Sequence, residues 1–278
     1  MEIIRTYSEF NTDVTISSKA KYLFRNNLIR ILSFGSDLKK NNNWIRFPYY
    51  HHVFDDEKHD FERQMKYLRN YGEFISIDTA CILIDKKEKI DGRFFCISFD
   101  DGYECCYTNM LEITKGMDIP VIIYLPTDFI GLNPEDMNDY EMLKKNTPKN
   151  STKVISFLSW DQCKEMMDYN VTFGSHTMSH ANLNVLNKEQ LTIELKESKE
   201  IIEKKLQVPC NHFACPWGKI NENFKPEIVN PVLNDLGYIS FATTHRGLND
   251  EKSDLFFIKR DHILAEWDNS QLKYFFSR

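Results

Sequence analysis

Short apolar runs, each followed by polar residues, recur along this chain at intervals that suit strands alternating with helices. The runs richest in aromatic and β-branched residues lie at 47–53, 74–77, 94–99, 121–125, 171–173, 212–216, 238–242 and 256–260. Between several of them, apolar residues recur at helical spacing, as at 61–71 and 188–206. Strands that alternate with helices in this way predict parallel βα units.

The number of these units and the positions of polar residues favour a barrel. Seven or eight units are present without a Gly-x-Gly-x-x-Gly pattern, which disfavours a dinucleotide-binding sheet. Polar residues that could do chemistry follow the predicted strands, and a barrel brings the carboxyl ends of its strands to one rim. These residues are His51, Asp100, Asp101, His176 and the pair Pro216-Trp217. We therefore expect an α/β fold, a distorted or incomplete (β/α)7–8 barrel.

Two adjacent carboxylates end the apolar run at 94–99. Asp100 and Asp101 are followed directly by Gly102. Burying a carboxylate without a partner is costly, so we expect both acids at the strand exit, where a pocket or a metal can hold them. The alternative is an ordinary hairpin turn, of which Asp-Gly is a frequent sign.

Two histidines four residues apart follow the strand predicted from residue 171. If the chain becomes helical after His176, then His176 and His180 lie on one face and can reach the same ion. A lone histidine would more often be structural. One carboxylate and two imidazoles leave coordination positions open for water, as metal-dependent hydrolysis requires.

Two motifs carry a family resemblance. Residues 98–103, Ser-Phe-Asp-Asp-Gly-Tyr, and 175–180, Ser-His-Thr-Met-Ser-His, resemble the first two motifs of the polysaccharide deacetylases (NodB-homology domain, carbohydrate esterase family four). The resemblance extends from about residue 47 to 263. It implies an incomplete (β/α) barrel of the NodB-homology type and metal-dependent hydrolysis of an N-acetyl group on an amino sugar. The implied roles are catalytic base for Asp100 and metal ligands for Asp101, His176 and His180.

A third segment resembles the family motif that stabilises the oxyanion. In Phe-Ala-Cys-Pro-Trp-Gly, at 213–218, the resemblance implies that the N–H after Pro216, that of Trp217, donates to the tetrahedral oxyanion. The Trp217 ring is a candidate wall of the sugar site, with rim packing as the alternative. Tyr103, at the end of the first motif, is also expected near the substrate.

The sequence motifs identify two further residues less clearly: the one that positions the base, and the general acid. Many relatives have an arginine in the third motif that holds the base, and it is absent here, so Arg260 is the candidate to orient Asp100. Tyr50-His51 resembles the early Tyr-His motif of the poly-N-acetylglucosamine deacetylase branch, which implies His51 as general acid. His52 is expected to point away from the site because strand residues alternate, and His262 is the other alternative.

Composition narrows the class of partner and the compartment. The formal charge of −6 argues against broad nucleic-acid binding, and no apolar run approaches the ~20 residues of a membrane span. The first residues lack the features of a signal peptide. Seven cysteines without a paired framework favour a reducing environment, so we expect a cytoplasmic chain.

Residues 1–45 precede the segment that resembles the family. The pattern predicts an N-terminal helical extension, with a basic helix to about residue 34. We expect the apolar residues of this helix to pack on the barrel exterior rather than on an anionic membrane surface, which is the alternative. They are Leu23, Phe24, Leu28, Ile31 and Leu32. Residues 46–278 would form the deacetylase domain, with an irregular insertion at about 128–155.

The leading hypothesis is a metal-dependent carbohydrate N-deacetylase that acts on a glycan or a glycan precursor. Its rivals are an amidohydrolase or deformylase that uses the same site on another small amide, and a glycan-binding protein with a decayed site. Cytoplasmic residence would favour a nucleotide-linked or lipid-linked sugar. The ligand set suits zinc, with cobalt, nickel and manganese as alternatives.

Overall fold

A computed structural model describes residues 2–12, 16–39 and 42–277. The helices are α1 (Tyr7–Phe10), α2 (Ile16–Ser33), α3 (Lys58–Arg69), α4 (Ile77–Asp85), α5 (Leu111–Gly116), α6 (Met137–Lys145), α7 (Trp160–Met167), α8 (Lys188–Leu206), α9 (Pro226–Asp235) and α10 (Asn269–Phe276). The strands are β1 (Asn43–Arg46), β2 (Pro48–Tyr50), β3 (Glu73–Phe74), β4 (Gly92–Phe95), β5 (Ile97–Phe99), β6 (Val121–Leu125), β7 (Val171–Ser175), β8 (His212–Ala214), β9 (Ser240–Ala242) and β10 (Asp261–His262). A π-helical turn, Cys106–Met110, precedes α5.

Seven parallel strands form a sheet that curls into an incomplete barrel, as the sequence predicts. Their order is β10-β2-β5-β6-β7-β8-β9. One segment approaches both edges of this sheet: Ile258 pairs with Ala242 of β9, and Asp261 pairs with Pro48 of β2. The residues between those pairs therefore lie where the barrel closes.

Alternation along the strands divides the apolar side chains between two buried clusters. In β6, Ile122 and Tyr124 face the smaller cluster inside the barrel, to which α4 contributes Ile77 and Ile84. Residues 121, 123 and 125 face the larger cluster beneath the outer helices. A second parallel sheet has the order β1-β4-β3. Its strands β1 and β4 lie directly before β2 and β5 in the chain, separated from them by the single residues Phe47 and Cys96.

Three predictions about local structure are wrong. Residues 256–260 are not a strand, because the Asp254 side chain accepts a hydrogen bond from the Phe256 N–H and caps a 3₁₀ turn, so the strand begins at Asp261. The insertion at 128–155 is not wholly irregular, since Asp136 caps α6 within it. The strand predicted at 47–53 ends at Tyr50.

The N-terminal segment is tied to two loops at the rim of the barrel. The Ile4 N–H donates to the Val154 carbonyl at 2.9 Å, and the Asp55 N–H donates to the Arg5 carbonyl at 2.9 Å. The Tyr7 N–H donates to Asp56 Oδ1 at 2.8 Å. The extension predicted at 1–45 is therefore part of the rim at its beginning, while its boundary at residue 45 stays a prediction.

All seven cysteines are buried free thiols, and burial raises the pKa of those at Cys81, Cys96, Cys106, Cys163, Cys210 and Cys215. Within the described ranges, none of the helices has both the length and the hydrophobicity needed to span a bilayer.

Candidate active site

Asp100 leaves β5 at the rim and meets a buried arginine. Its N–H continues the sheet by donating to the Tyr50 carbonyl at 3.0 Å. The Arg260 guanidinium binds its carboxylate at both oxygens, with Nη1–Oδ1 at 2.6 Å and Nη2–Oδ2 at 2.8 Å. Burial opposes ionisation of Asp100, but the charge of Arg260 outweighs it and lowers the pKa below its ordinary value. Asp100 is therefore held as an oriented carboxylate.

The position of Arg260 follows from the segment that closes the barrel. Its Nε donates to the Thr243 carbonyl at 2.9 Å, and its guanidinium lies 4.3 Å from the Tyr49 ring centroid and 5.4 Å from that of Tyr124. Burial works against its charge, yet Asp100 raises its pKa above the ordinary value. A buried guanidinium without a counter-charge would be strongly destabilising, so Arg260 and Asp100 depend on each other.

Asp101, His176 and His180 converge at the same rim. Asp101 Oδ1 lies 3.3 Å from His180 Nε2 and 3.6 Å from His176 Nε2, and one potential ligand atom of each residue lies within 4.8 Å of the others. None of the residues that the structure describes makes a hydrogen bond to the buried Asp101 Oδ1. Burial disfavours its charge, but the imidazoles of His180, His51 and His176 lower its pKa. These residues fit a divalent cation, which would satisfy the buried oxygen.

The His176 ring is oriented by a backbone carbonyl. Its Nδ1 donates to the Ala214 carbonyl at 2.8 Å, which leaves the Nε2 lone pair directed toward Asp101. Burial lowers the pKa of His176 to about 4, so the ring is neutral near neutral pH. A neutral imidazole whose other nitrogen is already engaged is a suitable metal ligand.

The loop between the two histidines is not the helix that the spacing suggested. Thr177 and His180 adopt left-handed backbone conformations, with φ of 67° and 58°. The Glu194 carboxylate of α8 accepts hydrogen bonds from the Met178 and Ser179 N–H groups at 2.9 and 3.1 Å. The imidazoles therefore converge through a strained loop that α8 holds in place, rather than through helical periodicity.

Three histidines flank the carboxylates on the side of β2 and β10. His51 lines the cavity that contains Asp100 and Asp101, whereas His52 lines only a neighbouring cavity. His52 Nδ1 lies 2.8 Å from Glu57 Oε2. The His262 ring is 5.1 Å from that of His51. Burial is the main cause that lowers the His262 pKa to about 3, and the charge of the nearby His51 is the second.

Two adjoining cavities share His51 and Asp101. The first, of about 410 Å³, contains the candidate catalytic groups together with Trp217, Lys219 and Glu222. The second, of about 430 Å³, is lined on its far side by Tyr7 and Phe10 of α1, and by Asn11, Tyr103, Pro148 and Leu264. Because the two cavities adjoin at these residues, we refer to them together as the groove.

The remaining predicted residues lie around this groove. The Trp217 side chain is 53% exposed and its ring is 4.6 Å from that of His180. Its backbone has φ of 56° and follows the buried Pro216, and Thr244 Oγ1 donates to its carbonyl at 2.7 Å. Tyr103 is buried beside Asp101, and burial together with that carboxylate raises its pKa.

Sequence reasoning missed the aromatic wall formed by α1. Tyr7 and Phe10 lie 5.4 and 5.3 Å from the His52 ring. The capping box formed by Thr6 and Glu9 was a sign of a helix start, but local spacing does not show which surface a short helix covers. The sequence likewise gives no local sign that Glu194 of α8 holds the loop between the two histidines.

Known proteins resemble this chain in sequence and in fold. The profile of the family described as polysaccharide deacetylase matches residues 87–238, which is more than half of the chain. The putative polysaccharide deacetylase YxkH of Bacillus subtilis (strain 168) is 22% identical over 207 residues, which make up 74% of this chain and 64% of that protein. This chain thus spans somewhat less than two thirds of that relative.

Two solved structures share the fold. The deacetylase PplD of Streptococcus pyogenes, in complex with acetate, superposes with a TM-score of 0.67 at 20% identity, over 86% of this chain and 100% of that chain. IcaB of Ammonifex degensii superposes with a TM-score of 0.67 at 18% identity, over 86% of this chain and 99% of that chain.

Proposed function

Because the chain belongs to the polysaccharide deacetylase family, we propose that it is a hydrolase that removes the N-acetyl group from an amino sugar in a glycan or glycan precursor. The observation that carries this proposal is the placement of a clamped, ionised Asp100 beside the cluster of Asp101, His176 and His180 on one cavity. A base and a metal-binding set on the same wall are what amide hydrolysis by this family needs.

Metal dependence is general in this family, and Asp101, His176 and His180 are the residues that would hold the ion. When bound, a divalent ion polarises an amide carbonyl and lowers the pKa of water. Two nitrogen ligands and one oxygen ligand suit zinc, and cobalt, nickel and manganese accept the same set. We propose zinc.

Asp100 is the proposed base that takes the proton of the attacking water. Arg260 occupies one side of its carboxylate and keeps it ionised, so it can accept a proton throughout the neutral range. Asp101 faces the two imidazoles instead, which separates its role from that of its neighbour. The N–H of Trp217, on the same cavity, is the proposed donor to the oxyanion.

His51 is the proposed general acid that protonates the leaving amine. It lines the cavity that contains Asp100 and Asp101, whereas His52 lines only the neighbouring cavity and is paired with Glu57. Burial keeps His262 neutral, with a pKa of about 3, so it carries no imidazolium proton to donate near neutral pH.

The shape of the groove supports a substrate longer than one sugar. The two cavities, of about 410 and 430 Å³, meet at His51 and Asp101, so a sugar at the carboxylates has room for a neighbour against Tyr7 and Phe10. Aromatic rings suit the apolar faces of sugars, while polar side chains such as Asn11 bind hydroxyls. We propose an oligomeric or otherwise extended N-acetylated glycan.

The test compares wild type with Asp100→Asn for metal content and for acetate release from N-acetylated monosaccharides and oligosaccharides, with N-formyl analogues included. We expect about one bound divalent ion in both proteins and a loss of turnover of roughly 10²–10⁴-fold in the variant. Asp128→Asn is the matched control, since Asp128 is a half-buried acid of another loop.

Two outcomes would overturn the proposal. Failure to retain any divalent ion under all loading conditions would contradict the metal-dependent mechanism. Full turnover in Asp100→Asn would show that another residue is the base. Release of formate in preference to acetate would instead reassign the substrate to a formamide.

A further inference from the structure

One face of α2 presents large apolar side chains to solvent. Phe24 is 74% exposed, Ile31 67% and Leu23 63%, and Leu28 and Leu32 are also exposed. The sequence led us to expect these residues to pack on the barrel exterior, and that expectation is wrong. An exposed apolar face of this kind marks an interaction surface more often than an ordinary solvated helix.

The opposite face of α2 is the one that packs on the protein. Ile29 is buried, and Asn26 Oδ1 accepts a hydrogen bond from Gln271 Nε2 of α10 at 3.2 Å. Arg30 Nε donates to Asp268, which caps α10, at 2.8 Å. The helix is thus fixed by its polar face with its apolar face outward, the reverse of a surface helix that packs on a core.

Charged residues border the exposed apolar face. At about 100° per residue, the five apolar side chains occupy one half of the helix circumference. Lys21 and Arg25 lie at one border of that half, and Arg30 lies near the other. An outward apolar face bordered by cations is the arrangement of helices that lie in the plane of a membrane interface.

The charge of α2 is opposite in sign to that of the chain as a whole. The helix has four basic residues, Lys19, Lys21, Arg25 and Arg30, and no acidic residue, whereas the full chain has a formal charge of −6. This local positive charge is complementary to an anionic surface. It also disfavours pairing of this face with the same face of a second copy, which would bring two basic helices together.

We infer that α2 docks this protein on an anionic lipid bilayer, with its exposed apolar side chains in the boundary between headgroups and acyl chains and the exposed Lys21 at the lipid headgroups. The helix would lie in the plane of the membrane interface rather than span the bilayer. The inference is independent of the proposed reaction. If both are correct, docking keeps the groove wall formed by α1 close to the bilayer, since α2 begins a few residues after Phe10.

The test is co-sedimentation of the full chain with phosphatidylcholine vesicles that contain or lack phosphatidylglycerol. We expect binding only to the anionic vesicles, and weaker binding as salt is raised. In the double variant Phe24→Ser/Ile31→Ser, partitioning should fall at least about tenfold because two side chains no longer enter the apolar boundary. Lys21→Gln should lower it roughly fivefold.

The matched control is Met137→Ser/Val185→Ser, because these side chains are each 76% exposed but lie outside α2. It should bind vesicles as wild type does, and all variants should keep the wild-type circular dichroism spectrum and melting temperature. Equal binding to vesicles without phosphatidylglycerol, or undiminished binding by the α2 double variant, would overturn the inference. So would a concentration-dependent dimer that the double variant abolishes, since a second copy would then cover the face.

Discussion

The two ends of the barrel each hold a histidine–carboxylate cluster, and the clusters differ in how fully their polar atoms are satisfied. At the carboxyl rim, the buried Asp101 Oδ1 lies beside two imidazoles and has no hydrogen-bond partner within the described ranges. At the amino end, His212 Nδ1 lies 2.8 Å from Ser240 Oγ, and His212 Nε2 lies 3.1 Å from Asp78 Oδ1. The amino-end cluster therefore leaves no ring nitrogen of His212 for a ligand.

The two clusters also differ in backbone conformation. At the rim, Asp101, Thr177, His180 and Trp217 all have φ between 56° and 69°, although none of them is a glycine. Asp78, His212 and Ser240 are not among the residues with positive φ. The amino-end cluster contains a serine, a histidine and an aspartate, so these residue types alone do not identify an active site. An unsatisfied buried atom on a strained backbone is the more informative sign.

Exchange of one carboxylate at each end should give the largest contrast. Asp101→Asn should weaken divalent-metal binding by more than about 100-fold and abolish acetate release, because even outer-sphere partners of a metal site contribute 10–100-fold. Asp78→Asn should retain both properties. Chelator competition with metal analysis measures the affinities, and equal losses in the two variants would refute the distinction between the ends.

A histidine exchange at each end should separate turnover from stability. His51→Asn should lower kcat by roughly 10²–10⁴-fold with little change in melting temperature, since a general acid is lost. His212→Asn should keep kcat and lower the free energy of unfolding by about 1–3 kcal/mol, because buried partners lose their hydrogen bonds. Steady-state kinetics and urea denaturation of both variants provide the comparison.

Replacement of the rim arginine should change the pH profile as well as the rate. Arg260→Lys keeps a cation but cannot bind both Asp100 oxygens, so we expect kcat/KM to fall about 10–100-fold. The Asp100 pKa should rise toward its ordinary value, which moves the acidic limb of the kcat/KM profile to higher pH. A lower rate with an unmoved acidic limb would mean that Arg260 supports only the fold.

The rim should also make the metal-free protein sensitive to mild acid. The unfolded chain binds a proton at His176 below about pH 6.5, whereas the folded chain does so only near the depressed pKa of about 4. Stability should therefore fall by up to roughly 3 kcal/mol as pH drops through this window. His262, with a pKa of about 3, adds to the fall, while the carboxylates contribute only at lower pH.

Urea denaturation at several pH values measures this effect. His176→Asn should reduce the slope of stability against pH between about 6.5 and 4. His59→Asn, at a histidine whose side chain is 90% exposed, should leave the slope unchanged. A wild-type stability that does not change over this range would contradict the prediction.

Much of the rim could be predicted from sequence because strand ends are marked locally. The apolar run before Asp100 and the run before His176 specify buried strands, and parallel topology then brings their ends together. The family motifs added the expectation about Arg260, which the structure places on Asp100. Its catalytic role, like those of His51 and Trp217, stays a prediction.

Features that depend on long-range packing could not be predicted in the same way. The outward face of α2 follows from contacts with α10, more than 200 residues later, and an amphipathic pattern is the same whether its apolar face is inward or outward. The wall formed by Tyr7 and Phe10 depends on hydrogen bonds to loops at Asp55 and Val154.

The barrel-closing segment also determines when the site can exist during synthesis. Asp100 and Arg260 are 160 residues apart in the chain, and Arg46 pairs with Asp261 across 215 residues. A nascent chain therefore exposes Asp100 long before the Arg260 guanidinium that pairs with it leaves the ribosome. Contacts of such high sequence separation form late and slowly. The proposed activity should accordingly arise only once the barrel closes, as a terminal event of folding.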